Sequence, residues 1–364
     1  MIKLAINGFG RIGRAALRSA LADERELGGR LRRPERINAE DVEVVAINDL
    51  ADGETLANLL KYDSVYGVAT VEIVATAENA EEYAENAEGE LRCLKVGDKA
   101  IRLFSERNPS KLPWKDLGVD VVLECTGVFA DFERARAHLD AGARKVIISA
   151  NAKGDGPTVV LGTESINNQQ LTVNNVLSMA SCTTNCIAPV MQILKDKFGV
   201  ARSLMTTVHA YTSTQNLVDG PNKDLRRARA AGVNVVPTTT GAARAAGKVV
   251  PDLEGKFDGV ALRVPVPCGS LADIVVLLSR DATTEEVNRV FKEAAESGEY
   301  RGIVEYSKAP LVSSDIIGNP HSAIVDGSFT RVVGGNLVKI LAWYDNEWAY
   351  GCRLVELAHI LGVQ

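Results

Sequence analysis

Short apolar runs recur through the first half of the chain, at 2–6 (IKLAI), 43–47 (EVVAI), 120–124 (DVVLE) and 145–149 (KVIIS). Each has the length and flanks of a strand buried on both faces. Segments such as RAALRSALA and FERARAHLDAG lie between them with helical or irregular spacing. This alternation predicts an α/β domain built on a parallel, doubly wound sheet. After about residue 180 the pattern changes: runs at 204–208 (LMTTV), 259–264 (GVALRV) and 272–278 (ADIVVLL) come with fewer helices between them. That predicts an α+β domain with a mixed or antiparallel sheet. The last segment, 347–361 (EWAYGCRLVELAHIL), repeats apolar residues at helical spacing and is expected to pack back on the first domain. The division expected is therefore 1–181, completed by 347–364, and 182–346.

Two stretches depart from this patterning. Residues 22–40 are charged and contain Gly28, Gly29 and Pro34, while 76–90 are acidic and alanine-rich. Neither supplies much core, so both are read as solvated excursions. The 364 residues suffice for two domains with a core each. No run nears the roughly 20 apolar residues of a membrane span, and MIKLAINGFG lacks the order of a secretory signal. A soluble, cytoplasmic protein is expected. A formal charge of −6 carried on mixed-sign segments argues against a general nucleic-acid or anionic-membrane binder. The six cysteines show no CxxC pair and no histidine at zinc spacing, so neither a disulfide framework nor a metal site is expected.

Three motifs carry chemistry. Gly8-Phe9-Gly10-Arg11-Ile12-Gly13 follows a strand and opens a helix, the setting a dinucleotide turn needs. Gly8 permits the turn, Gly10 lets a diphosphate approach the backbone, and Gly13 lets helix and strand pack closely. Asp49 ends the second strand, where a carboxylate can bind ribose hydroxyls; it lies 36 residues beyond Gly13 against a usual spacing of about 20, and the 22–40 excursion accounts for the difference. Cys182 stands just ahead of an apolar-periodic helix, whose positive end favours thiolate. His209 ends an apolar strand, and a near-neutral imidazole can take a proton from a thiol within reach, although a histidine in this setting, taken alone, is more often structural. Cys186 reads as a buried helix residue, and His138, His321 and His359 as structural histidines.

The ordered segments NGFGRIGR, INDL, LLKYDSVYG, LPWKDLGVDVVLECTGVF, ASCTTNC, HAYT, KDLRRARAA, PTTTGAA, RVPVP and WYDNEW closely resemble those of phosphorylating glyceraldehyde-3-phosphate dehydrogenases. The resemblance covers nearly the whole chain outside the two excursions. It implies a Rossmann domain followed by a catalytic domain, a homotetramer, NAD as cofactor, and glyceraldehyde 3-phosphate with inorganic phosphate as substrates. Cys182 is then the nucleophile and His209 the base. Thr212, Thr214 and Arg263 match the site for the substrate phosphate, and Ser181, Thr183, Arg227, Thr240 and Gly241 that for the attacking phosphate. Asn346 and Tyr350 match positions beside the nicotinamide. Gly8, Gly10, Arg11, Ile12, Gly13, Asp49 and Leu50 are the remaining cofactor positions.

Leu50 and Pro221 resemble NAD-specific members, both disfavouring a 2′-phosphate. The arginines of 30–36 are read as a solvated loop, but they could also reach a 2′-phosphate, which leaves NADP use alongside NAD open. Four positions depart from the usual pattern: Met179 for Asn, Cys125 for Ser, Asn151 for Pro and Gly220 for Leu. None removes a catalytic group. The alternatives are an erythrose-4-phosphate dehydrogenase, which hydrolyses its thioester, and a catalytically idle nucleotide-binding paralogue.

Overall fold

A computed structural model describes residues 1–21, 30–38, 40–76, 92–166 and 168–363. Of the two expected excursions, residues 22–29, 39 and 77–90 lie outside the described residues. The chain divides into two compact units, one of 1–157, 169–179 and 351–364, the other of 158–168 and 180–350. The span 158–168, expected within the first domain, thus clusters with the second unit.

In the first unit the strands are β1 (Ile2–Asn7), β2 (Val42–Asn48), β3 (Tyr62–Asp63), β4 (Gly67–Val68), β5 (Ile73–Thr76), β6 (Arg92–Val96), β7 (Lys99–Phe104), β8 (Val121–Glu124), β9 (Lys145–Ile148) and β10 (Val176–Ser178). The main sheet runs β10-β9-β8-β1-β2-β7-β6-β5. Its six strands from β10 to β7 pair in parallel, and β6 and β5 add an antiparallel edge. That edge was not foreseen, because RCLKVGDKAIRLF mixes charge into both strands of the β6–β7 hairpin. The chain winds outward from β1 in both directions, so the ends of β1 and β8 flank the point where strand order reverses, where ligands bind in such sheets. Trp114, Val122 and Val146 are fully buried beneath it.

A polar chain is buried at the end of β8. Trp114 Nε1 donates to His138 Nδ1 (3.0 Å), which leaves His138 Nε2–H to donate to Glu124 (3.1 Å). Glu124 also accepts from Asn7 Nδ2 (2.5 Å) and the amide of Thr126 (2.8 Å). His138 is structural, as expected. Arg36 is not a freely solvated arginine: it pairs with Glu356 of the C-terminal helix, Trp348–Gly362.

In the second unit the strands are β11 (Val200–Ala210), β12 (Val236–Thr239), β13 (Phe257–Val264), β14 (Ser270–Leu278), β15 (Val304–Ser307), β16 (Ala323–Asp326), β17 (Arg331–Val333) and β18 (Leu337–Tyr344). The sheet runs β12-β13-β11-β14-β18-β16-β15, with β17 paired to β18. It is mixed: β11 pairs in parallel with β13 and antiparallel with β14. The inward residues of β11, β14 and β18 alternate with outward ones, so one face is core and the other holds Leu204, Val260, Val275 and Leu337 at the surface.

Candidate active site

The glycine turn of the first unit is built as its spacing requires. Gly8 has φ +94°, and a Cβ there would lie 2.6 Å from the amide nitrogen of Thr126. At Gly13 a Cβ would strike the carbonyl oxygen of Gly8 at 2.2 Å, whereas at Gly10 it would meet nothing within 4 Å. The helix Arg11–Ala20 has no side-chain cap at Gly10, so its first amides are not claimed by a local side chain. Asp49 Oδ2 accepts from the Phe9 amide (2.7 Å) and holds the turn against the end of β2. Leu50 is exposed. The Arg11 side chain, expected at the cofactor, reaches instead to Asp63 (2.6 Å), which Arg18 also binds (2.8 Å). These two cations hold the Asp63 carboxyl well below the usual range against the upward push of its burial. Arg11 is thereby left to serve the turn through its backbone at the helix start, beside Ile12.

Cys182 is the first residue of the helix Cys182–Phe198, and Ser181 caps it by accepting from the Thr184 amide (3.2 Å). The preceding Ala180 has φ +53°, the sole non-glycine with positive φ among the described residues. Such backbone costs about 1–3 kcal/mol and must be held by its surroundings. Tyr350 Oη does so, donating to the Ala180 carbonyl (2.9 Å). Tyr350 was expected beside the nicotinamide; its hydroxyl is occupied in setting the turn ahead of the thiol.

Cys182 Sγ lies 3.4 Å from His209 Nε2. On its other side His209 Nδ1 is 2.7 Å from the Ala210 carbonyl oxygen, and donating there leaves the Nε2 lone pair toward sulfur. Arg263 Nη1 donates to the same carbonyl (3.0 Å) and lies 3.0 Å from Nδ1. Burial, followed by the charge of Arg263, pushes His209 down to about 3. The start of the helix is expected to favour thiolate at Cys182. Burial pushes the Cys182 thiol up and outweighs the downward pull of Arg263 and of the Thr183 hydroxyl and amide. Cys186, one turn on, is fully buried and its thiol is pushed well up, with no base beside it.

Thr212, Thr214, Arg227, Thr240 and Gly241 lie in loops of this unit, whereas Thr183 is in the helix that Cys182 opens and Arg263 is on β13. Thr212 and Thr214 hydroxyls are 2.9 Å apart. Arg227 donates through Nε and Nη2 to Thr238 Oγ1 (3.0 and 2.6 Å), a partner the sequence did not single out. Thr240 Oγ1 accepts from the Ala242 amide (3.2 Å), and Gly241 caps the helix Ala242–Val249. Thr183 is enclosed, its hydroxyl 2.9 Å from Tyr344 Oη. Tyr344 in turn meets Thr207 (2.7 Å) and sets its ring edge against His209. WYDNEW contains Tyr344, yet only the pairing of β18 into the sheet puts that residue beside His209. Asn346 Oδ1 accepts from the Gly269 amide (3.2 Å) and Ser270 Oγ (2.8 Å).

Comparison with known proteins decides the family. Residues 2–132 match the model for the glyceraldehyde 3-phosphate dehydrogenase NAD binding domain, and 181–346 that for the C-terminal domain. The chain belongs to the glyceraldehyde 3-phosphate dehydrogenase family. A glyceraldehyde-3-phosphate dehydrogenase of Mycobacterium avium is 48% identical over 363 residues, spanning 99% of this chain and 98% of the relative. Glyceraldehyde-3-phosphate dehydrogenase 2 of Streptomyces avermitilis is 47% identical over 363 residues, spanning 100% and 99%. Membership makes the chain an NAD-dependent oxidoreductase of the Rossmann-plus-catalytic-domain fold. The residues fit the cofactor: the uncapped helix start, the open space at Gly10 and the carboxylate of Asp49 are what a diphosphate and a ribose need. Among the described residues no cluster suits a metal ion, and no helix is long and apolar enough to cross a membrane.

Proposed function

We propose that the chain oxidises D-glyceraldehyde 3-phosphate with inorganic phosphate to 1,3-bisphosphoglycerate through a thioester on Cys182. The observation that carries this is the 3.4 Å approach of Cys182 Sγ to His209 Nε2 at the start of a helix. Sulfur adds to the aldehyde carbon while His209 takes the thiol proton and returns it to the carbonyl oxygen, so no charged pair has to persist in a buried site. Bound NAD supplies the acceptor for the hydride leaving that carbon. His209 then takes the hydroxyl proton as the C=O of the thioester forms. A phosphate oxygen attacks the acyl carbon, the C–S bond breaks, and the proton on His209 goes back to sulfur.

Thr212, Thr214 and Arg263 are assigned to the substrate phosphate, and Ser181, Thr183, Arg227, Thr240 and Gly241 to the attacking one. Hydroxyls, a helix-start amide and guanidinium groups match phosphate oxygens. Gly8, Gly10, Arg11, Ile12, Gly13, Asp49 and Leu50 are assigned to the adenosine and diphosphate, Asn346 to the nicotinamide carboxamide, and Tyr350 to the approach of the thiol. The protein is read as a cytoplasmic homotetramer; the apolar outer face at Leu204, Val260, Val275 and Leu337 supports self-association.

The test is NADH formation from glyceraldehyde 3-phosphate with phosphate or arsenate varied. Turnover indifferent to both would make the enzyme hydrolytic, as an erythrose-4-phosphate dehydrogenase is. Arg227→Ala should raise the KM for phosphate about tenfold or more, the worth of a charge-assisted hydrogen bond, while the first burst of NADH survives. An unchanged KM removes Arg227 from the phosphate site.

A further inference from the structure

Strand β14 is the one strand that lies between β11, which carries His209, and β18, which leads into Asn346. Its first residue, Ser270, is fully buried and touches both. The Ala210 amide donates to Ser270 Oγ (3.1 Å), and Ser270 Oγ donates to Asn346 Oδ1 (2.8 Å). A hydroxyl has one proton, so once it accepts from an amide its donation is committed to Asn346. The Gly269 amide is a second donor on the same oxygen (3.2 Å). Two donors settle which end of the Asn346 carboxamide faces inward, and the NH2 is the end left for a ligand. The Ala210 carbonyl, on the other side of Ser270, accepts from His209 Nδ1 and from Arg263.

We infer that Ser270 is a positioning residue that locks the Asn346 amide to present NH2 to a carbonyl oxygen, and ties that amide to the peptide holding the catalytic base. The inference rests on the assignment of Asn346 to the nicotinamide carboxamide. A bound ring then has one face toward the reacting carbon because its carbonyl, rather than its amide nitrogen, is the group recognised.

NAD and its 3-acetylpyridine analogue discriminate the two orientations, since the analogue keeps the carbonyl oxygen and lacks the NH2. Wild-type protein should bind both with similar affinity in titration calorimetry. In Ser270→Ala the Asn346 amide can turn its oxygen outward, which NAD can satisfy with its NH2 and the analogue cannot. The ratio of the two affinities should shift about tenfold toward NAD, the value of one hydrogen bond. Deuterium delivered from a C1-deuterated aldehyde should also reach both faces of the ring. Ser270→Thr, which keeps the hydroxyl, should restore the wild-type ratio. If Ser270→Ala does not fold, Ser270→Cys serves as the near-isosteric weak donor. An unchanged affinity ratio and single-face transfer in Ser270→Ala, or in Ser270→Cys where it stands in, overturn the role of Ser270, even with a lowered Tm. Asn346→Ala separates the two claims: it should weaken both cofactors alike and admit transfer to both faces, and if it leaves the NAD affinity and single-face transfer unchanged, the assignment of Asn346 itself is wrong.

Discussion

The chain presents two helix starts to small ligands, Gly10–Arg11 in the first unit and Ser181–Cys182 in the second, and it builds them by opposite means. The first uses glycine for its positive φ at Gly8 and leaves the helix without a side-chain cap. The second forces Ala180 to φ +53°, holds it through Tyr350, and caps the helix with Ser181. An anion site needs free amides and open space, so small residues and an uncapped end suffice. A nucleophile needs one side chain held at one place, so strain and a cap are tolerated there.

The largest effect expected is at the second start. Cys182→Ser should lower NADH formation by on the order of a thousandfold or more, because a hydroxyl of ordinary acidity cannot be activated by a base pushed down to about 3. NAD affinity, read by calorimetry, should stay near that of the parent. Iodoacetate should label Cys182; label confined to Cys186 would transfer the nucleophile one turn along the helix.

At the first start, Gly8 and Gly10 separate folding from binding. Gly8→Ala meets both a positive φ and the Thr126 amide nitrogen at 2.6 Å, so it should cost at least about 2 kcal/mol of stability. Gly10→Ala meets nothing in the protein, so Tm should barely move while NAD affinity falls roughly tenfold to a hundredfold as the methyl enters the diphosphate's space. Equal losses of Tm in the two variants would remove this contrast.

The pH dependence sharpens the chemistry of the second start. Above about 3 His209 is neutral, so it contributes no acid limb near neutrality. Cys182 is raised, so its alkylation by iodoacetamide should climb with pH through the alkaline range. Arg263 pulls the thiol down and pushes the imidazole down. Arg263→Gln removes both pulls, and the alkylation profile should move to higher pH while the imidazole rises toward its ordinary value. A profile that does not move would show that Arg263 lacks electrical contact with the pair.

The smallest effect belongs to the strained turn. Ala180→Gly relieves the positive φ but frees the unfolded chain, so Tm should rise by no more than a few degrees. Tyr350→Phe should lower kcat by about fivefold, one neutral hydrogen bond's worth, and Ala180→Gly should not rescue it if the hydroxyl's work is positional. Full activity in Tyr350→Phe would mean that the turn holds itself.

The first start was almost entirely legible: six residues in succession contain the turn, the approach and the packing, because a backbone anion site is a local object. Asp49 was legible through strand patterning. The side-chain partner of Arg11 was not legible, because Asp63 lies 52 residues away. The charged edge hairpin β6–β7 escaped because its outward residues blur the alternation.

By itself the sequence determined the alternation of strands and helices and the glycine turn, since both follow from period and spacing within a short stretch. The roles proposed for Cys182 and His209 came from the resemblance of ASCTTNC and HAYT to the family's segments. The tertiary structure alone decided what pushes the thiol up and the imidazole down, namely burial, and it alone brought Arg263 from β13 beside the pair. It alone brought Tyr344, Thr207, Thr238 and Ser270 into the site. Their hydroxyls look ordinary along the chain, and only the order β13-β11-β14-β18 makes neighbours of residues scores of positions apart. Local conformation is written in neighbouring residues, whereas a proton's position is set by every charge and dipole folded around it.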